Sequence, residues 1–336
     1  MIFSALYLHA TIDERLQYSG LHQPGKGVNK TAPSTRSHKV SRPKRDWKKY
    51  NKDLIERGNV CRFVRMVVKR GPWVEHTGKQ GRPRYSDEAI TTCYMLMSLL
   101  NLTCRGCQGY LQGLFELLHW DPSLVPSAST ISRRAGSVLF RAPTCTKIGH
   151  TRVVDGTGFG FKMRGPYASK KYGEPEKRRK FALATISTDA KTGLITALAV
   201  TPDRGVGNGE VSQLPALLGQ EVYPVKVLMG DGAYDTQNVY SECKKRGITL
   251  IAPPQINAKY GLNDERDICL VQIGRIGPKE WKKRIGYHTR SLAESTNWAL
   301  KSAFGDKTRA TSFKGAQARI IAHVLVYNLW LMDALA

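Results

Sequence analysis

Acidic residues are scarce in this chain relative to basic ones. Its 336 residues include 27 Asp+Glu against 52 Lys+Arg, which gives a formal net charge of +25 at pH 7 and a pI near 9.9. Such an excess indicates a polyanionic partner, most simply nucleic acid. The positive charge is spread along the chain and not gathered on one amphipathic helix, which argues against binding to a membrane surface.

Cysteine is too scattered for a disulfide framework. The seven cysteines are an odd number and suit a reducing compartment. Only Cys104 and Cys107 have the spacing of metal ligands, and neither a second CxxC nor an HxxxH follows at a suitable distance, whereas a zinc site needs about four ligands. The pair lies in an apolar helical run, so we expect two small core residues and no zinc.

The chain also lacks a convincing signal peptide and a long uninterrupted apolar run. The first residues have no basic region and soon reach Asp13 and Glu14. The C-terminal stretch IIAHVLVYNLWLMDALA is interrupted by His323 and Asn328 and is short for a membrane span, so it predicts a packed terminal helix. A hydrophobic content of 41% and the length of the chain fit a globular protein with two domains.

The first 145 residues divide into an arm and a helical region. Residues 1–45 are rich in Gly, Pro, Ser and basic residues without hydrophobic periodicity, which predicts a flexible basic arm that either touches DNA or is a dispensable extension. Residues 46–145 open with DWKKYNKDLIERG, an amphipathic helix with Gly58 as its C-cap. Ser86 is then the predicted N-cap of a long apolar helix, with two acids in its first turn.

The segment STISRRAGSVLF predicts the second helix of a helix-turn-helix module. It begins at Ser127 or Ser129, which would cap it, and its pattern buries Ile131, Val138 and Leu139. The same pattern exposes Arg133 and Arg134, which are the predicted DNA contacts of this module. Many small helical bundles share this pattern.

The pattern changes from helical to β near residue 146, and residues 146–336 alternate strands and helices as in a mixed α/β sheet. The strand HTRVVD ends on Asp155, a carboxylate that is costly to bury unless it is paired or bound to a metal; an ordinary turn residue is the alternative. The strand VKVLMGDGAYD ends near Asp231 and Asp235. We assign Asp231 as the ligand because it directly follows the strand, whereas Asp235 is placed to cap the next helix. A polar insert spans residues 257–283.

Basic residues crowd the segment from 162 to 180, directly after Asp155 in sequence. They could hold a DNA backbone over that carboxylate, or they could form a solvated hairpin loop. The candidates for DNA contact here are Lys170, Lys171, Arg178 and Arg179.

The stretch YHTRSLAESTNWALK is predicted to be an α-helix with one polar stripe. Tyr287, Arg290, Glu294 and Lys301 share a face at helical spacing. A solvated face with an ion pair is the simplest interpretation. Arg290 precedes Glu294, however, and this is the less favourable order for an i,i+4 pair, so helix stability is a poor reason for the arrangement.

The spacing Tyr287-x2-Arg290-x3-Glu294-x6-Lys301 resembles the Y-R-E-K signature of DDE transposases from bacterial insertion sequences, within the insertion-sequence-five group. The resemblance covers roughly residues 46–332 through a colinear set of motifs: DWKKYNKDLIERG, GRPRYSDEAI, VVDGTG, GDGAYD, APPQINA and GYHTRSLAES. It implies a ribonuclease-H-like catalytic domain after a helical DNA-binding region. It also implies a bacterial protein of the cytoplasm that associates with the nucleoid.

By this resemblance Asp155, Asp231 and Glu294 form a catalytic triad that holds two Mg2+ ions, for which Mn2+ would substitute. Such ions activate the attacking oxygen and stabilise the leaving oxygen at phosphorus. Arg290 and Lys301 would contact the phosphates of the element's ends, and Tyr287 would support a flipped or strained end. The implied partner is double-stranded DNA, at the element's ends and at the target, bound by a homo-oligomer. A membrane is not an expected partner.

The resemblance implies that the protein nicks DNA at the terminal inverted repeats of its insertion sequence and joins the freed 3′ hydroxyl to target DNA. A metal-dependent nuclease of the same fold and an inactive DNA-binding regulator are the alternatives. Two departures from the family pattern are VPSASTIS, where an acidic residue is common, and the differently shaped loop at 162–180. Neither touches the triad.

Overall fold

The structure is a computed structural model that describes residues 47–48, 51–52, 55, 59–69, 72–75, 84–161, 180–203, 207–255, 258–261 and 264–335. The predicted arm at 1–45 lies outside these residues, and so does the predicted C-cap Gly58. The predicted DNA contacts Lys170, Lys171, Arg178 and Arg179 also lie outside them.

The described residues between 59 and 137 are mainly helical. Their helices are α1 (Val60–Val68), α2 (Asp87–Leu99), α3 (Cys104–Leu117) and α4 (Ala128–Arg133), and a two-stranded antiparallel pair, β1 (Val74–Glu75) and β2 (Arg84–Tyr85), precedes α2. Cys107 is fully buried in α3 and its thiol donates to the Cys93 carbonyl oxygen at 3.5 Å, whereas Cys104 is half-buried.

Side-chain caps fix where these helices begin. The Ser86 hydroxyl accepts a hydrogen bond from the Ala89 N–H at 2.9 Å, as predicted for the start of α2. Ser127, and not Ser129, caps α4 by accepting from the Thr130 N–H at 3.3 Å.

The predicted second helix of the helix-turn-helix is shorter than its sequence pattern. The α-helix α4 ends at Arg133 and a 3-10 turn, Ala135–Ser137, follows it. Ile131 and Val138 are buried as predicted, but the prediction for Leu139 is wrong because this side chain is 64% exposed. The backbone is already extended at Val138, so Leu139 no longer follows the helical face.

The second half of the chain is built on a six-stranded mixed sheet. The strands are β3 (Thr151–Phe161), β4 (Lys180–Asp189), β5 (Ile195–Pro202), β6 (Val227–Met229), β7 (Thr249–Ile251) and β8 (Lys307–Thr308). The spatial order is β5-β4-β3-β6-β7, and β8 pairs with the far end of β3. Pairing is antiparallel from β5 to β3 and parallel from β3 through β6 to β7.

Helices cover both faces of this sheet. The helices of this half are α5 (Leu214–Gln220), α6 (Gln237–Lys245), α7 (Asp264–Ile276), α8 (Pro278–Arg284), α9 (Ser291–Phe304) and α10 (Phe313–Leu335). The predicted polar insert therefore contains α7 and α8. Leu214 of α5 and Val239 of α6 pack with Val154 on one face of β3, whereas Ala293 of α9 packs with Val153 on the other. Alternate residues of β3 thus face different layers.

A single hydrophobic core joins the helical half to the sheet. It contains Phe63 and Met95 from the helical half, Ile186 from the sheet, and Val326 from α10. A fragment ending near residue 143 would lack α10 and leave the apolar side of α2 uncovered. Experiments on the helical half therefore need the full chain.

The last helix, α10, is the one described helix that is long and apolar enough to cross a membrane. The most apolar part of it is 72% buried inside the protein, which is typical of a core helix. Asn328, which interrupts its apolar sequence, pairs with the backbone of Ile195 through both its amide oxygen (2.9 Å) and its amide nitrogen (2.8 Å). The prediction of a packed terminal helix agrees with this burial.

Candidate active site

The stretch with the Y-R-E-K spacing is not one continuous α-helix. It begins with a 3-10 turn, Tyr287–Arg290, and the α-helix α9 starts at Ser291. Gly286 precedes the turn in the left-handed conformation, with φ of 67°, and offers no side chain to cap a regular first turn. The Tyr287 hydroxyl donates to the Gly230 carbonyl oxygen at 3.1 Å and fixes the turn beside the end of β6.

Arg290 lies among the three predicted catalytic carboxylates. Its Nη1 is 2.5 Å from Glu294 Oε1, and its Nη2 is 3.4 Å from Asp155 Oδ1. The same Nη2 is 3.9 Å from Asp231 Oδ2. The fold therefore brings the middle of β3, the segment just after β6 and the first turn of α9 within reach of one guanidinium group.

Asn297 completes the contacts of Asp155 and was not predicted from the sequence. Its Nδ2 donates to Asp155 Oδ2 at 2.9 Å, and its buried Oδ1 has no hydrogen-bond partner among the described residues. Asn297 follows Glu294 by three residues, so helical spacing was the sequence signal that could have identified it on the same polar stripe.

The two aspartates of GDGAYD have different environments. Asp231 is 36% exposed at its side chain, accepts from the Ala233 N–H at 2.8 Å and faces Arg290. Asp235 is buried and forms a two-pronged ion pair with Arg266, at 2.8 and 3.0 Å. The prediction that Asp235 caps the next helix is wrong, because Thr236 caps α6. Asp235 instead ties α7 to the turn that precedes α6.

Glu210 is a fourth carboxylate near the triad that sequence reasoning missed. A Cβ atom built on Gly156 would lie 2.0 Å from Glu210 Oε2 and 3.1 Å from its Cδ, so the carboxylate fills the space beside Gly156. The only sequence signal is an acid that directly precedes a helical segment, which reads equally well as a solvated helix start.

Comparisons with known proteins identify the family of this chain. A sequence model described as "Transposase DDE domain" matches residues 149–329, which is more than half of the chain. A second model with the same description matches residues 55–165. The chain belongs to the DDE transposase family.

Two viral structures are distant likenesses of this DDE transposase. The catalytic core domain of BIV integrase is 15% identical with a TM-score of 0.28, covering 55% of this chain and 95% of its own. A simian T-cell lymphotropic virus intasome is 13% identical with a TM-score of 0.22, covering 56% of this chain and 61% of its own. Both likenesses are too distant to support any statement about the fold, which rests on the sheet topology of the chain itself.

Burial and charge compete at the acids of the transposase. Burial raises the pKa of Asp155, and Asp231 raises it further, whereas Arg290 and hydrogen bonds from Gly156 and Asn297 lower it. The pKa of Glu210 is also raised, first by burial and then by the charges of Asp231 and Asp155. Burial lowers the pKa of Arg290, but the neighbouring carboxylates outweigh this and raise it overall.

We expect Glu210→Gln to stabilise the metal-free transposase at neutral pH. The pKa of Glu210 is higher in the folded state than in the unfolded state. The stabilisation of the fold by this shift is therefore complete below the unfolded-state pKa and is lost as pH rises through the folded-state pKa. A glutamine keeps the shape and avoids this loss. The melting temperature with EDTA present should exceed that of wild type at pH 7 and approach it near about pH 4. A lower melting temperature than wild type at pH 7 would contradict the electrostatic account.

The donor set of the site suits a divalent cation with hard oxygen ligands. The carboxylates of Asp155, Asp231 and Glu294 and the unpartnered Oδ1 of Asn297 are all oxygen donors. Among the described residues no three His, Cys, Asp or Glu side chains stand close enough together to hold a metal ion. The guanidinium of Arg290 lies between the acids, so the chemistry fits a cation once this side chain withdraws.

The residues predicted to contact DNA fall into distinct environments. Arg133 is exposed on α4, where its Nε donates to the Ser129 carbonyl oxygen. Arg134 is half-buried and bonded to Asp87 and to the Tyr85 carbonyl oxygen, so the prediction that its sequence pattern exposes it is wrong. It caps the C-terminus of α4 and cannot stay on the polar face. Lys301 lies along α9, and its Nζ is 5.8 Å from the ring centroid of Phe159.

Proposed function

We propose that this protein is a DNA transposase of the insertion-sequence-five, Y-R-E-K group. It binds terminal inverted repeats as a homo-oligomer, nicks double-stranded DNA and joins the freed 3′ hydroxyl to target DNA. The observation that carries this proposal is the convergence of Asp155, Asp231 and Glu294 on one guanidinium. Membership of the DDE transposase family supports a polynucleotidyl transferase.

The sheet supports the assignment of a ribonuclease-H-like fold. Three antiparallel strands are followed by two strands parallel to the first, in the order β5-β4-β3-β6-β7. This arrangement brings Asp155 in β3 and Asp231 after β6 to one edge, since β3 and β6 are neighbours and run in parallel.

In the proposed reaction Asp155, Asp231 and Glu294 would hold two Mg2+ ions, or Mn2+ in their place. When bound, such ions supply activation of the attacking oxygen and charge stabilisation at the leaving oxygen. The chain's own contribution is to hold the carboxylates on three rigid elements, with Asn297 orienting Asp155. Tyr287 keeps the start of the α9 turn against Gly230.

Arg290 would change partners when DNA arrives. A phosphate is a stronger bidentate acceptor for a guanidinium than a distant carboxylate at 3.4 or 3.9 Å. Movement of Arg290 onto a phosphate would free Asp155 and Asp231 as ligands. Substrate binding and completion of the acidic site would then be one event.

A strand-transfer assay tests this function. The inverted repeats are first read from DNA that flanks the gene, and a linear duplex ending in them is incubated with the full chain, Mg2+ and a plasmid target. We expect nicks at the repeat ends and end-to-plasmid joints made through a 3′ hydroxyl. Nicking without joints would favour the nuclease, and binding without nicks would favour the inactive regulator.

Arg133 and Arg134 give a separate prediction for DNA recognition. Arg133→Ala in the full chain should reduce the preference for terminal-repeat over scrambled duplex by about 1–3 kcal/mol, because base contacts discriminate between sequences. It should leave the melting temperature unchanged, since the side chain is exposed. Arg134→Ala should lower the melting temperature, because it breaks contacts with Asp87 and Tyr85.

The measurement is binding of each variant to both duplexes across a salt series. Contacts to phosphates weaken with salt for every sequence, so a loss limited to the terminal-repeat duplex identifies recognition. An unchanged preference in Arg133→Ala would remove α4 as the element that reads sequence.

A further inference from the structure

Glu210 approaches the acidic site in a way that only glycine at position 156 allows. The carboxylate precedes the 3-10 turn Val211–Gln213 that leads into α5. Its Oε2 is 2.0 Å from the position that a Cβ on Gly156 would take, a distance that real Cβ atoms do not show. Any other residue at position 156 would displace the carboxylate.

The side chains of Glu210 and Asp155 lie on opposite faces of β3. Asp155 points toward α9, where Asn297 donates to it. Successive side chains of a strand alternate, so the open space beside Gly156 lies on the face covered by α5. The two acids therefore stand on either side of the same stretch of backbone.

The edge of β3 is open at this stretch. Its parallel pairing with β6 ends at Val153, and Asp231 lies just after β6. Among the described strands none pairs with β3 on that side between Val153 and Gly160, and Asp155 and Gly156 lie in this stretch. Glu210 lies beside Gly156, the residue that follows Asp155 in β3.

The charges around this edge are unbalanced. Arg290 forms ion pairs with Asp155, Asp231 and Glu294, but Glu210 has no ion pair with any described residue. Among the described residues one guanidinium thus serves three carboxylates, and the fourth, Glu210, has no cation. A carboxylate in this position offers hydrogen-bond acceptors to water bound to a divalent cation.

We propose that Glu210 is a fourth acidic residue of the site, a positioning residue that accepts hydrogen bonds from water bound to a divalent cation held by Asp155 and Asp231. This inference rests on the proposed function. Divalent magnesium retains several waters in its shell, and these need acceptors. Residues that orient a metal's ligands from outside typically contribute about 10- to 100-fold in metal affinity.

The test is a titration of the full chain with Mn2+ alone, followed by electron paramagnetic resonance of the free ion. It is made in wild type and in an Arg290→Gln background, where the competing guanidinium is absent. Glu210→Gln should weaken Mn2+ binding about 10- to 100-fold without lowering the melting temperature. Asp231→Asn should abolish binding. The control Glu116→Gln, an exposed acid on α3, should bind Mn2+ as wild type does.

The outcomes separate this inference from the proposed function. If Glu210→Gln binds Mn2+ within about twofold of wild type while Asp231→Asn does not bind it, the role of Glu210 is wrong and the triad stands. If Asp231→Asn keeps wild-type affinity, the proposed metal site itself is wrong. Absence of Mn2+ binding in every chain would overturn both.

A second pair of variants tests the contact between Glu210 and Gly156. Gly156→Ala places a methyl group where the carboxylate lies, so it should weaken Mn2+ binding about as much as Glu210→Ala does. Because both changes remove the same arrangement, the double variant should be no weaker than either single variant. Losses that add in the double variant would contradict the contact.

Discussion

Replacing any one triad carboxylate should reduce Mg2+-dependent nicking by on the order of a thousandfold or more, while binding to the same DNA persists. The variants are Asp155→Asn, Asp231→Asn and Glu294→Gln, which remove a charge and keep the volume of the side chain. The loss is large because each acid is a predicted ligand of the cations that would activate the attacking oxygen and stabilise the leaving oxygen. Single-turnover nicking of a terminal-repeat duplex measures the rate, and a gel-shift titration of the same duplex measures binding.

Asp235 provides the matched control for Asp231. Both belong to GDGAYD, but Asp235 is buried against Arg266, away from Arg290. Asp235→Asn should therefore lower the melting temperature, because it leaves the Arg266 charge without its carboxylate, and the folded fraction should still nick DNA. If Asp231→Asn nicks DNA and folded Asp235→Asn does not, the assignment of the second triad member is wrong.

The largest expected loss of stability comes from a buried ion network on β3. The Arg152 side chain is fully buried, with Nη1 2.8 Å from Asp189 Oδ1 and Nε 2.9 Å from Glu221 Oε2. Arg152→Met would leave two carboxylates buried without a cation. We expect it to reduce the free energy of unfolding by about 3–5 kcal/mol, a large part of the stability of an ordinary domain.

An exposed ion pair is the control for this network. Arg246 pairs with Glu242 at 2.8 Å on α6, and its side chain is 38% exposed. Arg246→Met should change the free energy of unfolding by less than about 1 kcal/mol, since solvent screens the pair. Denaturant unfolding of both variants measures the difference. A loss below about 1 kcal/mol in Arg152→Met would mean that the network is dispensable.

The sequence indicated the triad because each member has a local signal. Asp155 interrupts an apolar strand, Asp231 follows another apolar strand, and Glu294 lies on a polar helical stripe. The structure brings these three around Arg290, although their assignment as catalytic residues remains a prediction. The start and cap of α2 at Ser86 also followed from local chemistry, because a capping hydroxyl bonds within its own first turn.

Features that depend on distant contacts had no such signal. Glu210 reaches Gly156 from 54 positions away in the chain, and this distance is closed only by the hairpin of β4 and β5 and the approach to α5. The burial of Arg152 with Glu221 likewise depends on how β3 packs beside the end of α5. Sequence periodicity describes which face a residue lies on and not which distant residue faces it.

In the helical half, too, the sequence did not predict which side chain is exposed, here because of where one helix ends. The arginine pair at 133 and 134 looked equivalent in sequence, but α4 ends between them. Arg134 turns toward Asp87 as a C-cap, and only Arg133 stays exposed. One residue of helix length decides which arginine is free to meet DNA, and helix ends are the least predictable part of a helix.

The three carboxylates around Arg290 are predicted to form a single site for divalent cations. Anomalous diffraction from a crystal of the full chain soaked in Mn2+ tests this prediction most directly. We expect a peak about 2.0–2.2 Å from carboxylate oxygens of Asp155 and Asp231, with the Arg290 guanidinium moved away from both. No peak there, with Mn2+ bound elsewhere or Arg290 still in contact with both aspartates at saturating Mn2+, would contradict it.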